Sequence, residues 1–160
     1  MADRQDGRAD EAKGMFSFFK ARAQRARHAI RGPQSALVVD DEEPVRRFVD
    51  RVLRAANYRT SVAADGVEAI KMAAEHGPFD ILVTDLMMPE MSGDELARRL
   101  RQNEPGLKVL YLTGFSDHLF KEKVTLWQDE AYLDKPCSMK ALLQAVSLLL
   151  TGHFEVTDPT

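Results

Sequence analysis

Apolar and polar positions in this chain fall into two alternating patterns. Short apolar runs, Ala36–Val39, Ile81–Val83, the stretch Lys108–Leu112 and Ala131–Leu133, are each bounded by turn residues. Runs of this length, rich in branched residues, predict buried strands. Tyr58–Ala63 reads the same way with fewer apolar positions. Between these runs the apolar residues recur at helical spacing. Val45, Phe48, Val49, Val52 and Leu53 follow i, i+3, i+4, i+7, i+8 behind Pro44, which suits a first helical position, and Asn57 supplies a stop. Asp65-Gly66 predicts a turn, and Val67–His76 a helix closed by Gly77. Ser92 and Glu95 have capping-box spacing for a helix over Gly93–Asn103, which Pro105-Gly106 ends. Asp117–Gln128, with Leu119, Phe120 and Val124, predicts a further helix, and Ser138 opens a last one over Met139–Leu150. Strand and helix thus alternate five times. Helical segments of ten or more residues between strands imply a parallel sheet with right-handed crossovers.

The first 33 residues stand apart. Residues 1–8 are polar, and Ala12, Met15, Phe16, Phe19, Ala23, Ala26 and Ile30 then form an apolar stripe at steps of three or four. Lys13, Lys20, Arg27 and Arg31 flank one side of the stripe, and Arg22 and Arg25 the other. This is a basic amphipathic helix closed by Gly32-Pro33, suited to packing on its own domain or a second copy, or to binding a partner or membrane surface. The expected organisation is an extension over 1–33, one domain over 34–151 and a loose tail over 152–160.

Charge sharpens that division. The whole chain of 160 residues carries −3, yet residues 1–32 hold eight Lys or Arg against four acids, which leaves the remainder at −7. An acidic body suits a divalent cation better than a nucleic-acid backbone. No apolar run approaches the roughly 18 residues of a membrane span. Nothing resembles a secretory signal, and the single cysteine, Cys137, cannot pair internally. A reducing, cytoplasmic setting is the simplest expectation. The four histidines lie apart at 28, 76, 118 and 153, so no zinc site is expected.

Chemistry gathers at the strand ends. Asp40-Asp41 follow the first strand, Asp85 ends the third, Thr113 the fourth, and Lys135 follows the fifth. Taken alone, Asp85 reads as a helix cap or turn aspartate. In a parallel sheet, however, all carboxyl ends share one edge, where ligands bind. Three carboxylates cannot crowd together unneutralised: either some are protonated or a cation lies among them. A hard divalent ion fits, Mg²⁺ being the abundant choice. Such an ion, a lysine and a hydroxyl stabilise a transferring phosphoryl group, and a carboxylate there can be its acceptor.

Four stretches carry a family resemblance: Leu37-Val38-Val39-Asp40-Asp41-Glu42, Asp85-Leu86-Met87-Met88-Pro89-Glu90-Met91-Ser92-Gly93, Leu112-Thr113-Gly114 and Asp134-Lys135-Pro136. In this order and spacing, they make the chain over about 35–150 resemble the receiver domain of two-component response regulators. The resemblance implies a flavodoxin-like five-stranded parallel sheet in order 2-1-3-4-5, with helices on both faces. It implies that Asp85 accepts a phosphoryl group from a histidine kinase or phosphotransfer protein. Asp41 and Asp85, with the Met87 carbonyl, would be direct Mg²⁺ ligands, and Asp40 one through water. Lys135 would pair with the acceptor carboxylate and then the phosphoryl group, and its bond to Pro136 is cis in most of the family. Thr113 would swing to the phosphoryl oxygen, and Tyr132 occupies the aromatic switch position. Met87 and Phe115 would border the approach of hydrolytic water. Gly114 departs from the family's commoner alanine, leaving room behind Tyr132 as in receivers attached to sensor kinases.

The resulting expectation is a stand-alone phosphoacceptor that signals through an unidentified protein target and catalyses only its own phosphorylation and slow dephosphorylation. A homodimer through the N-terminal helix is compatible with it. The rival is a haloacid-dehalogenase-like phosphatase, which also uses an aspartyl phosphate. That class needs a second aspartate two residues after its nucleophile at the first strand, and Glu42 stands two residues after Asp40. A DNA-binding role would rest on one short basic helix, a weak case.

Overall fold

A computed structural model of the chain describes residues 32–114 and 129–152. The helices expected at the N-terminus and over 117–128, Phe115 and the tail beyond 152 lie outside these residues. The chain divides by its internal contacts into residues 1–34 and 35–160. The second unit holds the sheet and its helices.

Its elements are β1 (Ser35–Val39), α1 (Glu43–Ala55), β2 (Arg59–Ala63), α2 (Gly66–His76), β3 (Ile81–Asp85), α3 (Gly93–Arg101), β4 (Lys108–Thr113), β5 (Glu130–Asp134) and α4 (Met139–Thr151). The five strands form one parallel sheet in the order β2-β1-β3-β4-β5. This is the expected architecture. β1 and β3 are buried along their whole length, which explains why they read as continuous apolar runs. α1 and α4 cover one face with Val49, Val52, Leu53, Leu142 and Val146. α2 and α3 cover the other with Ala69, Leu96, Ala97 and Leu100. Each such Val or Leu, once buried, contributes about 1.5–3 kcal/mol. The cost of opening the sheet is therefore large compared with any one polar contact at its rim.

Several local expectations are corrected. α1 begins at Glu43, so Pro44 is its second residue; its φ suits any position of a first turn. Asn57 does end the helix, in a left-handed conformation at φ 69°. The capping arrangement falls not at Ser92 but at Asp65. Asp65 accepts from the Glu68 amide at 2.8 Å, and Glu68 reaches back to the Ala64 amide at 2.9 Å. Ser92 occupies the N-cap of α3 without a side-chain cap, and the Glu95 carboxylate pairs with Arg99 one turn on, at 2.6 Å. Gly77 closes α2 in an extended conformation, with φ −70° and ψ 177°, as the residue before a proline must. Its lack of a side chain still matters, since a Cβ there would lie 2.3 Å from the Ala73 carbonyl oxygen.

Candidate phosphoacceptor site

The carboxyl edge of the sheet brings four of the expected residues together. Asp40 leaves β1 next to the central strand β3, and Asp85 is the last residue of β3. Lys135 follows β5 after a run that pairs with β4, and its amide donates to the Thr113 carbonyl at 3.0 Å. The Lys135–Pro136 bond is cis. Lys135 Nζ lies 2.7 Å from Asp40 Oδ2, 3.4 Å from Asp85 Oδ2 and 3.9 Å from Glu42. The lysine therefore sits chiefly on Asp40 rather than on the expected acceptor. Asp40 is buried, whereas Asp41 is exposed at the mouth.

Backbone chemistry fixes these side chains. Asp40 Oδ1 accepts from the Glu42 amide at 2.9 Å, and its carbonyl accepts from Arg46 Nη1 at 2.7 Å. Asp85 Oδ1 accepts from the Met87 amide at 3.3 Å. Thr84 Oγ1 donates to the Asp85 carbonyl at 2.9 Å. Gly93 is needed for steric reasons. A Cβ there would lie 2.1 Å from the Asp85 carbonyl oxygen, so only glycine lets α3 start against the acceptor's backbone. In the loop between, Met88 and Met91 are buried anchors, and Met87 is 62% exposed beside the site. Arg46 and the backbone role of Glu42 are not legible in the sequence. Their only signal is a place at the N-cap and in the first turn of the helix after Asp40-Asp41, which many unrelated helix starts share.

Electrostatics follows from the crowding. Burial, then the neighbouring Asp40 charge, pushes the Asp85 carboxyl above the usual range, and Lys135 only partly offsets this. For Lys135, burial acts to lower the ammonium's pKa. The hydrogen bond and charge of Asp40, with Asp85 and Glu42, outweigh it and raise the pKa. Asp40, Asp41 and Asp85 each offer an oxygen within 4.8 Å of the others. Three hard oxygen donors, one of them held against its own charge, fit a small divalent cation.

Behind the site, Tyr132 of β5 stacks on Tyr111 of β4, with ring centroids 5.0 Å apart and planes 18° off parallel. Such a pair contributes about 0.5–1.5 kcal/mol beyond its buried area. The Tyr132 hydroxyl is buried with no hydrogen-bond partner among the described residues, a cost of about 1–3 kcal/mol. A Cβ on Gly114 would meet nothing within 4 Å among the described residues, in keeping with open space beside the strand end. Tyr132 stands out in the sequence by its distance from Lys135, whereas Tyr111 looks like one more apolar strand residue.

Comparison with known proteins agrees with this geometry. The family model for the response regulator receiver domain matches residues 36–147, and the chain belongs to that family. It is 35% identical over 122 residues to the sensor kinase CckA of Brucella abortus, covering 76% of this chain but 13% of that protein. It is 33% identical to the response regulator receiver protein CpdR of the same organism, over 71% of this chain and 94% of CpdR. Among solved structures it resembles the response regulator TrrA of Thermotoga maritima, in complex with Mg²⁺ and BeF, at 31% identity and a TM-score of 0.63 over 73% of this chain and 99% of that one. The protein is thus a two-component receiver, and the haloacid-dehalogenase alternative gains no support from these relatives. Among the described residues, no helix is long and apolar enough to cross a membrane.

Proposed function

We propose that Asp85 accepts a phosphoryl group from a histidine kinase or a phosphotransfer protein. A carboxylate oxygen of Asp85 attacks phosphorus, the phosphorus–nitrogen bond of the donor's phosphohistidine breaks, and the imidazole leaves with the electron pair. The observation that carries this reading is the meeting of Asp40, Asp41, Asp85 and Lys135 in one pocket from three strands. Asp41, Asp85 and the Met87 carbonyl would hold Mg²⁺ directly, with Asp40 through water. The ion there supplies positive charge for the carboxylates and the transferring group. Lys135 moves from Asp40 to the new phosphoryl oxygens, and the Thr113 hydroxyl donates to another. Tyr132 then reports the change to a downstream protein.

The product is long-lived in this reading. Met87 and Phe115 cannot hydrogen-bond and orient a water in line with the acyl phosphate, and positional control of an attacking group is worth orders of magnitude in rate. Catalysis is confined to the chain's own phosphorylation and slow dephosphorylation. Residues 34–151 carry the function in the cytoplasm, with a polar tail over 152–160. A homodimer through the N-terminal extension is compatible with this reading. No nucleic acid or membrane takes part.

Labelling with acetyl phosphate, or with a phosphorylated histidine kinase, in the presence of Mg²⁺ tests the assignment. Label should appear on Asp85 and vanish in Asp85→Asn. Retained labelling of that variant at the parent level would sink it.

A further inference from the structure

Tyr111 stands opposite Tyr132 in the β4–β5 register and is held by its own contacts. Its side chain is fully buried in the middle of β4. Its hydroxyl donates to Glu130 Oε1 at 3.2 Å, and the same oxygen accepts from Arg101 Nη1 at 2.6 Å. Arg101 is in turn held by the Leu107 carbonyl at 3.1 Å and is the last residue of α3. A ring on such a tether cannot follow a moving neighbour. Tyr132 is held differently. Its hydroxyl finds no partner among the described residues, so the stack on Tyr111 and packing keep the side chain in place. The stacking gain and the cost of the unmatched hydroxyl are of like size and opposite sign, which leaves the ring's position sensitive to what lies beneath it.

We propose that Tyr111 is a positioning residue that seats Tyr132 inward while Asp85 carries no phosphoryl group, anchored through Glu130 to the Arg101 end of α3. The signalling meaning of this seat rests on Asp85 being the phosphoacceptor and Tyr132 its reporter; the seating itself does not. Its consequence is that the ring under the reporter, and not only the phosphoryl group above it, sets how often Tyr132 is turned inward.

The chain has three tyrosines, so each can be followed separately. The experiment is nitration of the full-length, Mg²⁺-free protein by tetranitromethane, quantified per tyrosine by peptide mass spectrometry, with Tyr58 as internal reference. Tyr111→Phe keeps the ring and loses only its hydrogen bond to Glu130, so the Tyr132-to-Tyr58 ratio should rise by less than in the variants that lack the ring. Tyr111→Leu and Tyr111→Met remove it, and the Tyr132-to-Tyr58 ratio should rise between about fivefold and tenfold. Methionine fills an irregular gap well, so it guards against a leucine variant that fails to fold. Tyr132 as protected in Tyr111→Met as in the parent would overturn the proposal. Acetyl phosphate labelling of the unmodified parent is run beside it: its failure would count against the phosphoacceptor reading, while the nitration ratio decides the seat.

Discussion

The two edges of the sheet use the same kinds of side chain to opposite ends. At the amino edge, charges are matched in pairs. Arg101 meets Glu130, Lys108 meets Asp129, and Asp80 accepts from the Ser35 amide and hydroxyl at 2.8 and 3.2 Å. At the carboxyl edge, Lys135 meets Asp40, Asp85 and Glu42, Asp41 lies beside Asp40 and Asp85, and Arg46 binds the Asp40 carbonyl. The first edge ties helix to strand through opposite charges, although Glu130 Oε2 is buried without a partner among the described residues and Glu104 is pushed up by burial and by Asp80. The second is short of positive charge, and its acceptor carboxyl is held above its ordinary pKa by burial and a like charge. A surplus of one sign in a half-buried place is the physical mark of a site that waits for a ligand.

The contrast between the edges breaks if positive charge at the carboxyl edge proves dispensable. Lys135→Ala should lower the rate of Asp85 labelling by about 10²–10³, the usual cost of losing one charge-stabilising donor. Mg²⁺ affinity, read by fluorescence or calorimetric titration, should not weaken, because a competing positive charge leaves the pocket. Equal labelling in parent and variant would mean that the lysine is only a counter-ion.

The amino edge should answer in stability rather than in chemistry. Arg101→Ala leaves Glu130, whose side chain is 4% exposed, without its charge partner. Breaking a buried pair in this way costs about 3–5 kcal/mol. Urea unfolding should show that loss, while labelling per folded molecule stays within about twofold. A variant as stable as the parent would show the edge to be a solvated surface.

Smaller effects sharpen the carboxyl edge. A Met87→Asn, Phe115→Glu double variant places polar groups at the water approach. It should shorten the life of labelled protein by about tenfold or more in excess Mg²⁺. Decay no faster than the parent's would show that these side chains do not set the lifetime.

The last effect is on stability alone. A carboxyl whose folded pKa is raised keeps its proton in the folded state over a window where the unfolded chain has released it. Stability therefore falls as pH rises above 3.8 and through the raised folded pKa. Without Mg²⁺, Asp85→Asn should raise the melting temperature at pH 7, and the gap should close as pH falls below 3.8. A melting temperature that drops at pH 7 would mean that Asp85 stabilises the empty site. The sign is opposite to that at Arg101, which separates the two edges by thermodynamics as well as by chemistry.

By itself the sequence determined the alternation of strand and helix, because burial on both faces writes continuous apolar runs for β1, β3 and β4 and one-sided stripes for α1. It also placed Asp40, Asp41, Asp85, Thr113 and Lys135 at strand ends, since a parallel sheet turns that position into nearness in space. What it could not settle was partner choice among side chains. Lys135 has two buried carboxylates within reach, and only the tertiary structure sets it closer to Asp40 than to Asp85. Glu95 had both a cap and Arg99 within reach, and the pairing one turn on prevailed. Tyr111 and Tyr132 lie 21 residues apart in sequence, and only the register of β4 against β5 lays one ring on the other. Periodicity reports which residues are buried, and the tertiary fold decides what they are buried against.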